Sequence, residues 1–284
     1  MTTAKIIDLP FADYLANPAF GSSDLRAFRT GPPSRVMWGK ANRTESTHAM
    51  KFGTGTHCRL LTRALFEREL FEQTYIVRPG DDRGNFRTKV GRAWRDEQVA
   101  AGRVVLTTEE LMDLRGASDA AAAKLGSFLD LSNAEKSIFW SADGIDCKCR
   151  PDWFRDGEAI YDFKVTHLAD KPFRALMFGA YNAGWTHQLA HGRVGLEAVG
   201  IHVKAGRIVA VSPNPPHYVH LLEVTENDLD FLELDNLNTR KGMAACVRAN
   251  HWPGTPDKWT TIELPASAAF TETDLEGAEE ALPL

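Results

Sequence analysis

The seven residues Ala159-Ile-Tyr-Asp-Phe-Lys-Val165 constrain the fold more than any other stretch. They are apolar on both alternating faces except at Asp162 and Lys164. A strand apolar on both faces belongs inside a sheet covered on each side. An acid and a lysine in such a strand are costly unless they are paired or bind something.

The segments around it supply the cover. Ser137-Ile-Phe-Trp-Ser141 and Ile145–Arg150 read as strands joined by a turn at Ala142-Asp143-Gly144, and Arg155-Asp156-Gly157-Glu158 gives a second turn. A helical pair is expected from Asp170-Lys-Pro172 to about Glu197, then strands near Arg207–Ser212 and Tyr218–Val224, then a helix over Glu226–Asn250. The part before residue 130 reads as mainly helical. Ser22-Ser23-Asp24 is expected to cap a helix, a second covers Met50–Thr62, and Thr108 is expected to cap another running to Leu125. The expected class is therefore mixed α/β, a central mixed β-sheet flanked by helices with a helical N-terminal region.

Residues two apart on a strand share a face, so Asp162 and Lys164 project together, roughly 7 Å apart. If Phe154 pairs with Ile160, the same register sets Asp152 opposite Asp162. Two carboxylates so close repel unless a cation intervenes, and oxygen donors suit Mg²⁺ or Mn²⁺. Such a metal polarises a phosphoryl oxygen and acidifies a water, and Lys164 can orient that water and stabilise charge building on phosphate. On spacing alone, the alternative is a surface hairpin closed by a salt bridge.

His57 follows Gly53 and Gly55, which suggest close backbone approach at a helix. By itself it is as well explained as a satisfied buried imidazole, and Gln188 as a polar helix position. The stretch Arg78–Arg95 holds Arg83, Arg87 and Lys89, either contacts for DNA phosphates or a solvated loop. Trp140, Trp153 and Trp185 and the Pro213-Asn-Pro-Pro216 loop read as core and turn.

Ile145–Lys164, with Cys-Arg-Pro-Asp-Trp followed by Ile-Tyr-Asp-Phe-Lys, resembles the nuclease core of the exonuclease VIII (RecE) family and its phage and prophage relatives. The resemblance extends to the Gly-Thr-x-x-His helix, the Ser-Ile-Phe-Trp strand, the Gln-bearing helix, Pro-Pro-His-Tyr and His251-Trp252-Pro253-Gly254, from about Ser22 to Pro265. It implies a PD-(D/E)xK, restriction-endonuclease-like core of the RecB-like kind. In it His57, Asp152, Asp162 and the main-chain carbonyl of Phe163 would bind Mg²⁺ (Mn²⁺ as a substitute), and Lys164 would be the catalytic lysine. Gln188 matches the glutamine of a Q-x-x-x-Y motif that positions DNA. The tyrosine position falls on Gly192, a departure, with His191 beside it. Gln188, His191 and Arg150 join the basic stretch as expected DNA contacts. The resemblance also implies 5′→3′ resection of linear double-stranded DNA in recombination, a homo-oligomer, and a single-strand annealing partner. An endonuclease or structure-specific preference, and a DNA-binding or assembly protein with a vestigial site, are the competing expectations.

Charge and cysteines bound the rest. The formal net charge is −5, but residues 266–284 hold five acids and no Lys or Arg, so the remainder is about neutral. One nuclease domain over residues 1–265 and an acidic, flexible tail dispensable for cutting are expected. Cys58, Cys147, Cys149 and Cys246 form no C-x-x-C pair. Related iron–sulfur nucleases carry three closely spaced late cysteines where this chain has only Cys246, so no cluster is expected. The cysteines read as core residues of a reducing cytoplasm. No stretch reaches the length of a membrane span and no signal peptide is read.

Overall fold

The computed structural model describes residues 3–42, 47–61, 71–78, 86, 88–255 and 257. Residues Met1–Pro253 form one compact unit. The acidic tail, Arg83 and Arg87 lie outside the described residues.

In chain order the elements are β1 (Lys5–Ile7), α1 (Phe11–Ala16), α2 (Ser22–Thr30), α3 (Ser34–Ala41), α4 (His48–Leu61), β2 (Tyr75–Val77), α5 (Lys89–Ala100), β3 (Val104–Leu106) and α6 (Thr108–Leu125). Then come β4 (Ser137–Ala142), β5 (Ile145–Cys149), β6 (Trp153–Arg155), β7 (Ala159–Val165), α7 (Phe173–Asn182), α8 (Trp185–Ala198), β8 (Ala205–Val211), β9 (Val219–Val224) and α9 (Glu226–Ala249). The architecture is mixed α/β. Among the described residues, no helix is long and apolar enough to cross a membrane.

The sheet carrying Asp162 and Lys164 has four strands in the order β6-β7-β8-β9. β7 runs parallel to β8, with Asp162 facing Ile208 and Lys164 facing Ala210. Parallel neighbours need a crossover, which α7 and α8 supply. The outer pairs are antiparallel. β7 is covered on both faces, as its apolar sequence requires. Ile160 joins a core with Trp140, Leu189 and Leu196. Ala159, Tyr161 and Phe163 join another with Leu60, Ala117, Leu125 and Trp153.

Two expectations need correction. The strands at Ser137 and Ile145 do not extend this sheet; with β1 they make a separate three-stranded one, and β2 and β3 a two-stranded one. The break falls at Arg150-Pro151-Asp152, where Pro151 has no N–H to continue a ladder. The helix caps also sit one residue early. Thr107, not Thr108, caps α6: its Oγ1 accepts from Glu110 N at 3.0 Å, and Glu110 Oε2 accepts from Thr107 N at 2.8 Å. Gly21 caps α2, donating its N–H to Asp24 Oδ2 at 2.9 Å.

Candidate active site

Phe154 pairs with Ile160, the register on which the sequence argument turned. β6 covers β7 only from Ala159 to Tyr161, so the edge of β7 from Asp162 onward is left open. Asp152, just before β6, closes part of that gap with its side chain: Oδ2 accepts the Phe163 N–H at 2.5 Å. A strand residue directs its N–H and C=O toward the same side. The Phe163 carbonyl therefore faces the same open edge.

Helices from both faces of the sheet meet at this edge. From α4, His57 Nε2 lies 2.8 Å from Asp152 Oδ1, and its ring centroid is 6.1 Å from that of Phe163. From α8, Gln188 Nε2 donates to Asp162 Oδ1 at 2.9 Å, and its Oε1 is 3.5 Å from Lys164 Nζ. Lys164 Nζ donates to Asp162 Oδ1 at 2.7 Å. The second oxygen, Asp162 Oδ2, is buried and has no hydrogen-bond partner. All five side chains line one cavity of about 790 Å³.

The electrostatics follow from this crowding. Burial pushes the Asp162 carboxyl up to about 6; Lys164 opposes the rise and the Asp152 charge adds to it. Asp152 is buried too, yet its carboxyl is held below the usual range. The His57 charge and hydrogen bond, Lys164 and the Phe163 N–H together outweigh desolvation. Burial works to lower His57 and Lys164, but the two carboxylates win and both cations are raised. Each carboxylate thus stands against one protein donor, Asp152 against His57 and Asp162 against Lys164.

The residues that could hold a divalent cation are two carboxylates, an imidazole and a main-chain carbonyl, a donor set that is mostly oxygen. The unpartnered Asp162 Oδ2 fits such a ligand, since a buried acceptor left empty is costly. The side chains nevertheless stand in pairs. Among the described residues no group of three His, Cys, Asp or Glu side chains is gathered ready to hold an ion.

The remaining expected DNA contacts divide. Lys89 is exposed at the start of α5. Arg150 is partly buried and lines the cavity, with Nη1 donating to the Leu9 carbonyl at 2.7 Å and to Ser137 Oγ at 3.3 Å. His191 offers no surface to a nucleic acid. It is fully buried, its Nε2 3.1 Å from the Lys148 carbonyl and its ring 4.9 Å from that of Trp140. Burial pushes its pKa down to about 4, the Lys148 carbonyl resisting and Arg240 adding to the fall. A histidine lowered in this way stabilises the fold fully above its unfolded value near 6.5, and that share is lost as pH falls toward 4. The loss should reach roughly 3 kcal/mol. Urea midpoints between pH 7.5 and pH 4.5 should show it in the wild type and less of it in His191→Gln.

Gly192 has a physical reason to depart from tyrosine. A Cβ there would meet Ile160 Cδ1 at 2.5 Å, so α8 rests on β7 where side-chain atoms would intrude. Gly192→Ala should cost about 1 kcal/mol, with Ile160 giving way, measured by the same denaturation.

Sequence reasoning missed Glu135, Phe11 and Tyr14, which line the same cavity. Glu135 adopts a left-handed φ of 52° and donates its N–H to the Asp152 carbonyl at 2.9 Å. Its Oε1 stands 3.8 Å from His57 Nδ1 and its Oε2 3.7 Å from Arg150 Nη2. No spacing rule links it to Asp152.

No family model matches the chain, and no curated protein matches it. Among solved structures, the chain is similar to a crystal structure from Eubacterium rectale described as a "Putative exonuclease". The identity is 16% and the TM-score 0.50, over 89% of this chain and 97% of that one. The likeness is one of fold and spans nearly the whole of both chains.

Proposed function

We propose that the protein is a divalent-metal-dependent deoxyribonuclease with a PD-(D/E)xK core, acting on linear double-stranded DNA from an end. One observation carries the reading: the open edge of β7 gathers Asp152, Asp162, Lys164, His57 and Gln188 in one cavity, with Asp162 Oδ2 buried and unsatisfied. The fold likeness supports it at the level of architecture.

His57, Asp152, Asp162 and the Phe163 carbonyl would hold Mg²⁺ or Mn²⁺. When bound, the ion supplies polarisation of the scissile phosphate and a lower pKa for the attacking water. Lys164, released from Asp162, directs its ammonium to that water and to the phosphate oxygens, where negative charge develops. Gln188 keeps Asp162 and Lys164 in register from α8. The resemblance to the RecE family adds 5′→3′ polarity, a role in recombination in the cytoplasm of a bacterial host, self-assembly and a single-strand annealing partner to the same proposal.

The test is digestion of duplexes labelled at the 5′ or the 3′ end, beside a closed circular duplex, with Mg²⁺ and with chelator. Metal-dependent shortening of the linear duplex with the circle intact is expected. Cutting of the circle would favour the endo-acting alternative, and an inert protein would defeat the enzyme reading. The competing reading is a DNA-binding or assembly protein with a vestigial site. That protein would shift DNA in a gel and leave it uncut.

A further inference from the structure

Lys148 and Arg150 stand two apart at the end of β5 and hold the N-terminal segment by its carbonyl oxygens. Lys148 Nζ donates to Tyr14, Leu15 and Asn17 at 2.9, 3.3 and 2.8 Å, and Arg150 to Leu9 at 2.7 Å. Charge-assisted bonds of this kind are about twice as strong as neutral ones. They fix α1 against the wall of the cavity, and Phe11 and Tyr14 become part of its lining. The Arg150 guanidinium lies 5.6 Å from the centre of the Phe11 ring, and the Tyr14 ring 6.3 Å away at 19°. Phe11 nevertheless stays 56% exposed as a residue, as does Met50, which lines the cavity from α4.

A single exposed apolar side chain means little. Here the exposed residue lines the same cavity as three carboxylates, an ammonium, a guanidinium and an amide. A nucleotide has this division, a flat apolar base joined to an anionic phosphate. The volume of about 790 Å³ lies in the range of small-molecule sites and is far too small for a duplex. We propose that Phe11 is a stacking seat for the nucleobase of the nucleotide whose phosphate is handled by Lys164. The inference rests on the nuclease reading and extends it. A strand end must leave the duplex to enter, and stacking on Phe11 offsets part of the cost of unpairing the terminal base.

The test uses full-length Lys164→Ala protein, which should bind without cutting, and a single-stranded hexanucleotide carrying 2-aminopurine at one position at a time. Quenching of one position on binding is expected, retained in Lys164→Ala/Phe11→Trp. In Lys164→Ala/Phe11→Leu and Lys164→Ala/Phe11→Ala the quenching should disappear and binding weaken roughly tenfold. In the otherwise wild-type protein, Phe11→Ala should slow degradation of blunt duplex more than of duplex with frayed ends. Unchanged quenching in the Leu and Ala variants overturns the proposal, as does equal slowing on both substrates. Failure of the nuclease reading looks different: the Phe11-positive protein would then degrade neither substrate, whatever the fluorescence shows.

Discussion

Lys164→Ala is expected to lower metal-dependent DNA degradation by roughly 10²–10³-fold while the protein stays folded. The size follows from removing one preorganised donor aimed at charge that develops in the transition state. The fold should survive because Lys164 lies at the open edge of β7, with its side chain 24% exposed and no neighbouring strand stacked over it from β6. Initial rates of label release at saturating DNA, beside circular dichroism of both proteins, measure the two halves of the statement. Retention of most of the rate in the folded variant would remove Lys164 from the chemistry.

The second large effect is expected at Asp162. Asp162→Asn should weaken Mn²⁺ binding by about 100-fold or more, since even the partners of metal ligands cost 10–100-fold when lost. It should also stop cutting. Calorimetric titration of the two proteins with Mn²⁺ gives the comparison, and unchanged affinity would exclude the ligand role. The same residue predicts the pH response. Its carboxyl is pushed up to about 6 by burial, so protons compete with the ion increasingly as pH falls through that value. Wild-type affinity should therefore drop between pH 7.5 and pH 5.5. For the metal-free fold the sign is opposite: a carboxyl raised above its unfolded value opposes folding as pH rises from the usual carboxylate range through 6. Metal-free Asp162→Asn should lack that component, and urea midpoints at pH 5 and 7.5 would show its absence.

Much of this site was legible in the sequence because strand periodicity is local. Two-residue alternation put Asp162 and Lys164 on one face, and the pairing of Phe154 with Ile160, posed as a condition, is the register found. Ala159–Val165 is the strand that its apolar pattern predicted. Sheet membership was not legible, because it depends on which edges meet. A proline at 151 ended one sheet and opened the edge of another. Burial withdraws His191 from the surface, while Arg150 lines the cavity and also braces the N-terminal segment. Helix geometry turned His191 inward against Trp140, a direction that its place in the sequence does not fix. Glu135 and Phe11 reach the cavity through tertiary folding alone, from a left-handed turn and from a segment clamped by distant cations.

A cation at the edge of β7 is the central proposal, and anomalous scattering from crystals grown with Mn²⁺ would locate it directly. A peak about 2.0–2.3 Å from an oxygen of Asp152, from Asp162 Oδ2 and from the Phe163 carbonyl, with His57 turned toward it, is the expected result. Crystals that bind Mn²⁺ elsewhere, or that keep both His57–Asp152 and Lys164–Asp162 pairs closed at millimolar metal, would contradict it.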